Sequence, residues 1–425
     1  MTDPLRRSLS SLAVPNYRRY FTGQLVSLSG NWMQIVAEMW LVLQLGGGGM
    51  ALGITSALQF APIMLFGALG GVLADRFPKR RLLMVSQAAM VLPALALWSL
   101  TASGAIELWM VFALVLARGA VNAVDNPARQ SFVIEMVGSK RVVNAVSLNS
   151  VLVHSARIAG PALAGVVIAV WGVSLCFLLN ALTFGVMIVA LGRMDGRELR
   201  PAPLLGRERG ALRAALSYVR RSPELAIPLA LMGVVGTLTL NFQVLLPLLA
   251  RFSFGGDASA YSTLVAAMGA GAVAGALVAG ARGRVSSGLL VGSCASLGAF
   301  TLVAAAAPTL ELAALALVPL GAASVTFAAG VNSTLQLAVE PEMRGRVMAL
   351  YSVVFLGSTP IGGPLVGWLA QAAGPRAGLV LGGGAALAAG VGARLAFSRA
   401  EAADRAECAE GPLHGGAAAS GARVA

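Results

Sequence analysis

The amino-acid sequence predicts an all-α membrane protein with twelve transmembrane helices arranged as two pseudo-symmetric six-helix bundles. Composition, the spacing of apolar segments and a repeat between the two halves of the chain support this fold class. Of the 425 residues, 57% are hydrophobic and 12% are charged, and the mean hydropathy is +0.79. Soluble domains carry about 25% charged residues. The composition therefore excludes a soluble globular protein and indicates a chain that lies mostly within a bilayer.

Twelve apolar segments, which we number spans 1 to 12, are long enough to cross a hydrocarbon core of about 30 Å. In the first half of the chain they are approximately 19–44, 51–74, 81–102, 107–128, 143–170 and 173–192. In the second half they are approximately 226–250, 260–281, 287–306, 311–336, 346–372 and 377–396.

These spans divide the chain into four parts. Residues 1–192 form the predicted N-terminal bundle, and residues 223–397 form the C-terminal bundle. The charged stretch 193–222 is the predicted cytoplasmic linker between them. The tail 398–425 is rich in Ala and Gly, which predicts a disordered cytoplasmic segment.

The two halves repeat at a near-constant separation along the chain. The matches are Tyr17-Arg18-Arg19 with Tyr218-Val219-Arg220-Arg221, Gly71 with Gly275, Ala145 with Ala349, and Gly160-Pro161 with Gly363-Pro364. Two similar six-span bundles are typical of a transporter whose substrate site lies near the midplane between them.

The basic residues predict the orientation. The net charge is +13, and the Arg and Lys residues cluster in the termini, the linker and alternate loops. Arg251 and Arg376 fall in opposite loops, whereas Arg118 and Arg157 fall inside spans. This asymmetry predicts a multi-pass bacterial plasma-membrane protein with both termini in the cytoplasm. Without a basic stripe interleaved with aromatics, nucleic acid is not an expected partner.

The three cysteines and the remaining polar residues predict no metal site and no disulfide framework. Cys176, Cys294 and Cys408 are scattered, with neither pairing nor metal-ligand spacing. We expect no cofactor, and the partners predicted are the lipid bilayer and a small-molecule substrate.

A polar face runs along span 1. Its members are Gln24, Ser27, Asn31, Gln34 and Glu38. Steps of three and four residues place all five on one side of a helix, which must face a water-filled cavity or a hydrogen-bonding neighbour. A carboxylate at membrane depth costs about 2.5–3.5 kcal/mol and usually marks an ion or proton pathway. Glu38 is therefore the first candidate for proton coupling or substrate contact.

Span 4 carries a second polar face, formed by Arg118, Asn122, Asp125 and Arg129. The alternating charges allow Arg118 and Asp125 to pair within the helix or across to span 1. A structural ion pair near the cytoplasmic end is an equally open interpretation for Asp125 and Arg129. Arg118 lies deeper, and we expect it to line the cavity.

Span 5 places His154 and Arg157 on one face. His154 is either a hydrogen-bonded packing residue or a neutral imidazole that relays a proton. In the repeat, Glu38 corresponds to Asn241, whereas Arg118 and His154 correspond to apolar or small residues. The coupling residues are thus expected in spans 1, 4 and 5, with Asn241 contributing from the second half.

The loop after span 2 combines Gly71, Asp75, Arg76 and Arg80. A glycine allows close helix approach, an aspartate can accept from an arginine or a helix N-terminus, and the basic residues anchor the cytoplasmic end. With Arg129 nearby in span 4, this pattern suggests a conformational latch. A purely topological basic patch is the alternative.

Several motifs resemble those of the major facilitator superfamily. The run from Gly71 to Arg80 is similar to its loop 2–3 motif, and Gly160-Pro161 with Gly165 is similar to its antiporter motif in span 5. Closer still, Asp125-Asn126-Pro127-Ala128-Arg129-Gln130 resembles the enterobactin-exporter-like drug:H⁺ antiporter branch.

The resemblance implies a secondary active transporter that exports a small organic molecule by alternating access. The expected substrates are drugs, siderophores or other metabolites. The proton gradient is the expected energy source, and the expected functional state is a monomer. A facilitator or importer on the same fold is the alternative. A polytopic membrane enzyme is a remote one, because no nucleophile–base pair, acidic metal cluster or phosphate loop is present.

This mechanism assigns a proton that enters from outside to Glu38, or to the network of Asp125 and His154. Protonation would release an outward-bound substrate. We therefore expect Glu38→Gln to abolish proton-driven export while leaving folding intact.

For the latch, we predict that Asp75→Asn slows turnover with little change in substrate affinity. The carboxylate would act on the exchange between two conformations rather than on the bound molecule. Transport kinetics in membrane vesicles measure both quantities, and a pure loss of affinity would contradict the assignment.

Overall fold

The computed structural model describes residues 10–138, 141–200, 211–282 and 286–410, and within these ranges the regular elements are all helical. Six long helices form the first half, and they correspond to spans 1 to 6. They are α1 (Pro15–Gln44), α2 (Gly49–Arg76), α3 (Lys79–Ala102), α4 (Leu108–Val137), α5 (Val142–Trp171) and α6 (Val173–Gly192).

The second half begins with a short linker helix, α7 (Ala211–Arg221). Span 7 consists of two helices, α8 (Pro223–Leu238) and α9 (Phe242–Leu248), followed by a π-helical turn, Leu249–Ser253. Spans 8 to 12 are α10 (Ala258–Arg282), α11 (Ser287–Ala306), α12 (Leu310–Ala338), α13 (Pro341–Ala373) and α14 (Pro375–Glu410).

In the part of the chain that the structure describes, 11 segments are long and apolar enough to cross a membrane. The remaining long helix is α1, whose 30 residues also suffice in length. Its apolar character is diluted by the polar face that contains Gln24 and Glu38. The predicted all-α membrane fold with two six-helix bundles is confirmed.

Two predicted boundaries are wrong. Span 4 was expected to end at residue 128, but α4 continues to Val137 and stops where Gly138 adopts a positive φ of 70°. The tail was expected to be disordered from residue 398, but α14 runs to Glu410. Ala, Glu and Arg dominate this stretch, and all three are strong helix formers. Residues 411–425 lie outside the described ranges.

Span 7 is interrupted at Asn241, where side-chain hydrogen bonds to backbone carbonyls take the place of the regular helical hydrogen bonds. The Asn241 amide donates to the carbonyl of Thr237 at 2.7 Å, and the Thr239 hydroxyl donates to the carbonyl of Gly382 at 2.7 Å. Both side chains are buried. An irregular backbone is tolerated at membrane depth when the surrounding protein supplies such hydrogen bonds.

The two ends of the molecule are distinguished by the loops they carry. We call the end with residues 77–78, 193–200 and 211–222 the termini face, because the described chain starts and finishes there. The opposite end, with residues 45–48, 103–107 and 254–257, is the far face.

The packing scheme of the first half recurs in the second. Helix α2 packs on α4 as α10 packs on α12, and α3 packs on α6 as α11 packs on α14. The bundles meet through two related pairs, α2 with α13 and α5 with α10. The sequence repeat relates α2 to α10 and α13 to α5, so it converts one pair into the other. This is expected for two similar bundles.

Glycines make the α2–α13 contact close in the far-face halves of both helices. A Cβ added to Gly53 would lie 2.4 Å from the carbonyl oxygen of Gly363, and one added to Gly49 would meet the carbonyl oxygen of Gly367. Gln371 adds a hydrogen bond to the backbone N–H of Met50 at 3.0 Å. The two bundles are therefore in backbone contact near the far face.

We predict that Gly53→Ala destabilises the protein by about 1–3 kcal/mol, because the new methyl group meets backbone that cannot move aside. Thermal unfolding of the purified protein in detergent measures this. Gly185→Ala in α6 is the matched control, since a Cβ at Gly185 meets nothing within 4 Å. Equal unfolding temperatures for the two variants would contradict the close contact.

Candidate functional site

A cavity of about 550 Å³ lies inside the N-terminal bundle. Helices α1, α4 and α5 supply most of its wall, and α2, α3 and α6 contribute one apolar residue each. Its lining runs from the middle of these helices toward the termini face. The polar members of the wall are Tyr20, Gln24, Ser27, Asn31, Asn122, Asp125, Asn126, Arg129, Gln130 and Asn149.

The cavity wall contains a buried hydroxyl that lacks a partner. Tyr20 is 1% exposed, and its Oη has no hydrogen-bond partner among the described residues. A buried polar group normally finds such a partner. The described residues therefore leave this hydroxyl unsatisfied.

Beyond the cavity, toward the far face, Glu38 and Arg118 form a buried ion pair. Arg118 Nη2 lies 2.6 Å from Glu38 Oε2, and both side chains are at most 1% exposed. Arg118 Nη1 also donates to Asn31 Oδ1 at 3.0 Å. Because Asn31 lines the cavity, the ion pair is one hydrogen bond away from its contents.

The second oxygen of Glu38 is also occupied. Gln34 Nε2 donates to Glu38 Oε1 at 2.7 Å, and Asn180 of α6 donates to the Gln34 side-chain oxygen. Thr183 then donates to Asn180 Oδ1 at 2.9 Å. One chain of hydrogen bonds thus joins α4, α1 and α6 through Glu38.

A second network surrounds Asp125 closer to the termini face. Arg129 Nη2 lies 2.5 Å from Asp125 Oδ2, and the other carboxylate oxygen accepts from Ser86 at 2.6 Å and Gln87 at 3.0 Å. Arg129 also donates to the side-chain oxygen of Gln24. The network ties α4 to α1 and α3 beside the cavity.

These contacts decide between the pairings that the sequence left open. Arg118 pairs across to Glu38 of span 1, and Asp125 pairs with Arg129 four residues later. Of the predicted cavity residues, Asn31, Asn122 and Asp125 line the space. The expectation that Arg118 lines the wall is not met, since it lies behind Asn31.

Two other predicted site residues, Asn241 and Arg157, are not among the residues that line the cavity. Asn241 bonds the broken backbone of span 7, and its Oδ1 is buried without a described partner. Arg157 stacks over the Trp32 ring at 4.9 Å. The side chain of His154 lies outside the described ones, so its role stays a prediction.

The predicted latch residues have different surroundings. Arg80 donates to the carbonyls of Leu191 and Gly192, both at 2.7 Å, and so satisfies the C-terminal end of α6. Arg76 is exposed, and Arg129 belongs to the Asp125 network. Gly71 lies in the last turns of α2, and the Asp75 side chain is outside those described. The latch stays a prediction.

The glycines of the span 5 motif serve close helix packing. A Cβ on Gly160 would lie 2.5 Å from Trp32 Cβ, and one on Gly165 would lie 2.7 Å from Ser262 Cβ of α10. Helix α5 continues through Pro161. The motif therefore brings α5 against both α1 and α10.

Sequence reasoning missed three partners and one ion pair. Ser86, Gln87 and Asn180 were not singled out, although each is a buried polar residue in an apolar span. Lys79 and Glu135 form a buried ion pair at 2.6 Å near the termini face. Lys79 lies in a basic stretch and Glu135 in an apolar one, and the local sequence pattern does not mark them as partners.

The family comparison decides the class of protein. A family model described as "Transmembrane secretion effector" matches residues 6–415. The chain belongs to the transmembrane secretion effector family. The resemblance to the major facilitator superfamily and its enterobactin-exporter-like branch is confirmed.

The relatives of this chain include a named transporter, an efflux protein and an exporter. The staphyloferrin A transporter of Staphylococcus aureus is 29% identical over 40% of this chain and 43% of its own length. Macrolide efflux protein A of Streptococcus pyogenes is 24% identical over 80% of this chain and 86% of its own length. The enterobactin exporter EntS of Citrobacter koseri is 27% identical over 76% of each chain.

A solved structure supports the fold. The nucleoside transporter NupG aligns with a TM-score of 0.71 at 12% identity, covering 90% of this chain and 99% of its own. The family and the relatives make this protein a multi-pass membrane transporter of small molecules and not an enzyme.

The Glu38–Arg118 pair predicts the cost of removing one of its charges. Because Arg118 is buried, Glu38→Gln leaves its charge without a counter-ion, and we expect the variant to fold with lowered stability. We predict that Arg118→Gln and Glu38→Gln each cost about 3–5 kcal/mol.

The double variant Glu38→Gln/Arg118→Gln should recover most of that loss, since it removes both charges together. Unfolding temperatures of the four proteins in detergent test this. Additive losses in the double variant would show that the two side chains do not depend on each other.

Proposed function

We propose that this secretion effector is a proton-coupled exporter of small organic molecules that works by alternating access. The observation that carries the proposal is the position of the Glu38–Arg118 pair. It lies between the cavity and the far face, and Asn31 connects it to the cavity wall. A buried carboxylate at this depth is a typical proton site in transporters.

We propose that the termini face is cytoplasmic and that the protein resides in the bacterial inner membrane. The basic loops and the Arg-rich linker support this orientation. The cavity would then lie on the cytoplasmic side, while the glycine contacts near Gly53 and Gly363 would close the outer side. This arrangement suits an inward-facing state that loads substrate from the cytoplasm.

Proton binding at Glu38 would be coupled to the conformational change through Arg118. A proton arriving from the outer side neutralises Glu38, which removes the charge that holds Arg118. Arg118 is then free to change its hydrogen bond to Asn31 and so alter the cavity wall. Release of the substrate outward and of the proton inward would complete the cycle.

The remaining components follow from the same scheme. The proton gradient supplies the energy, and no cofactor is needed. We propose that the protein works as a monomer. The names of the relatives place siderophores and macrolides first among the substrates to test.

Everted membrane vesicles test the coupling, with erythromycin, staphyloferrin A and enterobactin as candidate substrates. We expect a pH gradient to drive accumulation of at least one of them by the wild type. Glu38→Gln should lose gradient-driven accumulation but retain exchange between labelled and unlabelled substrate. Glu38→Asp should keep part of the gradient-driven transport, because it keeps the carboxylate.

Glu135→Gln is the matched control, since it breaks a buried ion pair outside the cavity. It should lower stability and leave coupling unchanged. Full gradient-driven transport by Glu38→Gln would remove Glu38 from the mechanism. Accumulation without any gradient dependence would indicate a facilitator, and accumulation in right-side-out vesicles would indicate an importer.

A further inference from the structure

Arg157 is a cation inside the N-terminal bundle without a counter-ion. Its guanidinium lies 4.9 Å from the centre of the Trp32 ring. The ion pairs of the described side chains are Lys79–Glu135, Arg118–Glu38 and Arg129–Asp125, and none includes Arg157. The interior of the bundle therefore carries one positive charge more than its described carboxylates balance.

The position of Arg157 connects it to the cavity. Asn149 and Val153 of α5 line the cavity, and Arg157 follows Val153 by one helical turn on the same face. Its ring partner Trp32 comes directly after Asn31, which also lines the cavity. Arg157 and Trp32 are not themselves in the cavity lining, so Arg157 lies one helical turn beyond the lining residue Val153 along α5.

Arg157 also lies where three helices meet. Gly160 brings α5 against Trp32 of α1, and a Cβ on Gly269 of α10 would lie 3.3 Å from the Arg157 carbonyl oxygen. Helix α10 belongs to the other bundle. The backbone of α5 at Arg157 therefore packs against the other bundle, while its guanidinium lies over Trp32 of α1.

The face of an aromatic ring attracts a cation but accepts no hydrogen bonds from the edge of a guanidinium, as a carboxylate does. Cation–π attraction leaves the N–H donors at the edge of the guanidinium free. Those donors form a planar fork that matches a carboxylate or a similar acid group. An unpaired arginine at membrane depth is costly, and such residues face substrate or ion pathways.

We propose that Arg157 anchors an acidic group of the substrate, so that this protein transports organic anions. This inference rests on the proposed export function and specifies its substrate class. The acid group lies against the guanidinium fork beside Trp32. The amides of Asn31, Asn122, Asn126 and Asn149 serve the uncharged polar groups, and Phe184 and Met90 contact the apolar part.

Two dyes with one xanthene skeleton and opposite charges test the proposal. Fluorescein is an anion and rhodamine 123 is a cation at neutral pH. Their dissociation constants are measured by fluorescence anisotropy with the purified full-length protein in nanodiscs, without any gradient. We expect fluorescein to bind at least about tenfold tighter than rhodamine 123, the size of one charge-assisted hydrogen-bond contact.

Arg157→Gln should weaken fluorescein binding by about tenfold or more and leave rhodamine 123 binding unchanged. Arg157→Lys should weaken fluorescein less, because it keeps the charge but loses the fork. Arg251→Gln, at an exposed position near the far face, is the matched control and should bind both dyes like the wild type. Arg157→Gln should unfold at no lower temperature than the wild type, since it removes an unbalanced charge.

Equal affinity of Arg157→Gln and the wild type for fluorescein would overturn the proposal. A wild-type preference for rhodamine 123, or no binding of either dye, would also overturn it. The assay contains no proton gradient, so it is independent of coupling. If fluorescein binds through Arg157 while proton-driven export fails in vesicles, the export function falls and the anion site stands.

Discussion

Polar side chains at membrane depth must find their partners inside the protein, because lipid offers no hydrogen bonds. This constraint organises the N-terminal bundle. The polar face of α1 turns inward, where Glu38 meets Arg118 of α4 and Gln34 meets Asn180 of α6. Packing of apolar surfaces alone would not select these neighbours, since lipid tails compete equally for them.

The two bundles share a packing scheme but divide the chemistry. In the C-terminal bundle, the described buried polar groups mostly satisfy nearby backbone, as Thr239 does with Gly382. Glycine contacts near Gly53 and Gly363 bring the bundles together close to the far face. The charged networks and the cavity lie in the N-terminal bundle. The buried ion pairs of the described side chains therefore all lie in the N-terminal bundle.

In the proposed mechanism, the Glu38–Arg118 pair serves stability and transport together. A buried pair is weak as a source of stability but costly to break on one side, because the remaining charge keeps its desolvation penalty. The high cost of an unpaired buried charge suits a switch. A single proton on such a pair changes the equilibrium between two conformations of the protein. Asp125 and Arg129 lack the same isolation, because Arg129 is partly exposed and borders the cavity.

The sequence by itself determined the number of spans, the repeat and the polar faces of spans 1 and 4, because these depend on local hydropathy and helical periodicity. It also selected Glu38 and Arg118 as buried charges. Only the tertiary structure decided that they pair, that Asn180 joins them through Gln34, that Ser86 bonds Asp125, and that span 7 breaks at Asn241. Those outcomes depend on the depth and rotation of neighbouring helices, which packing between distant segments sets.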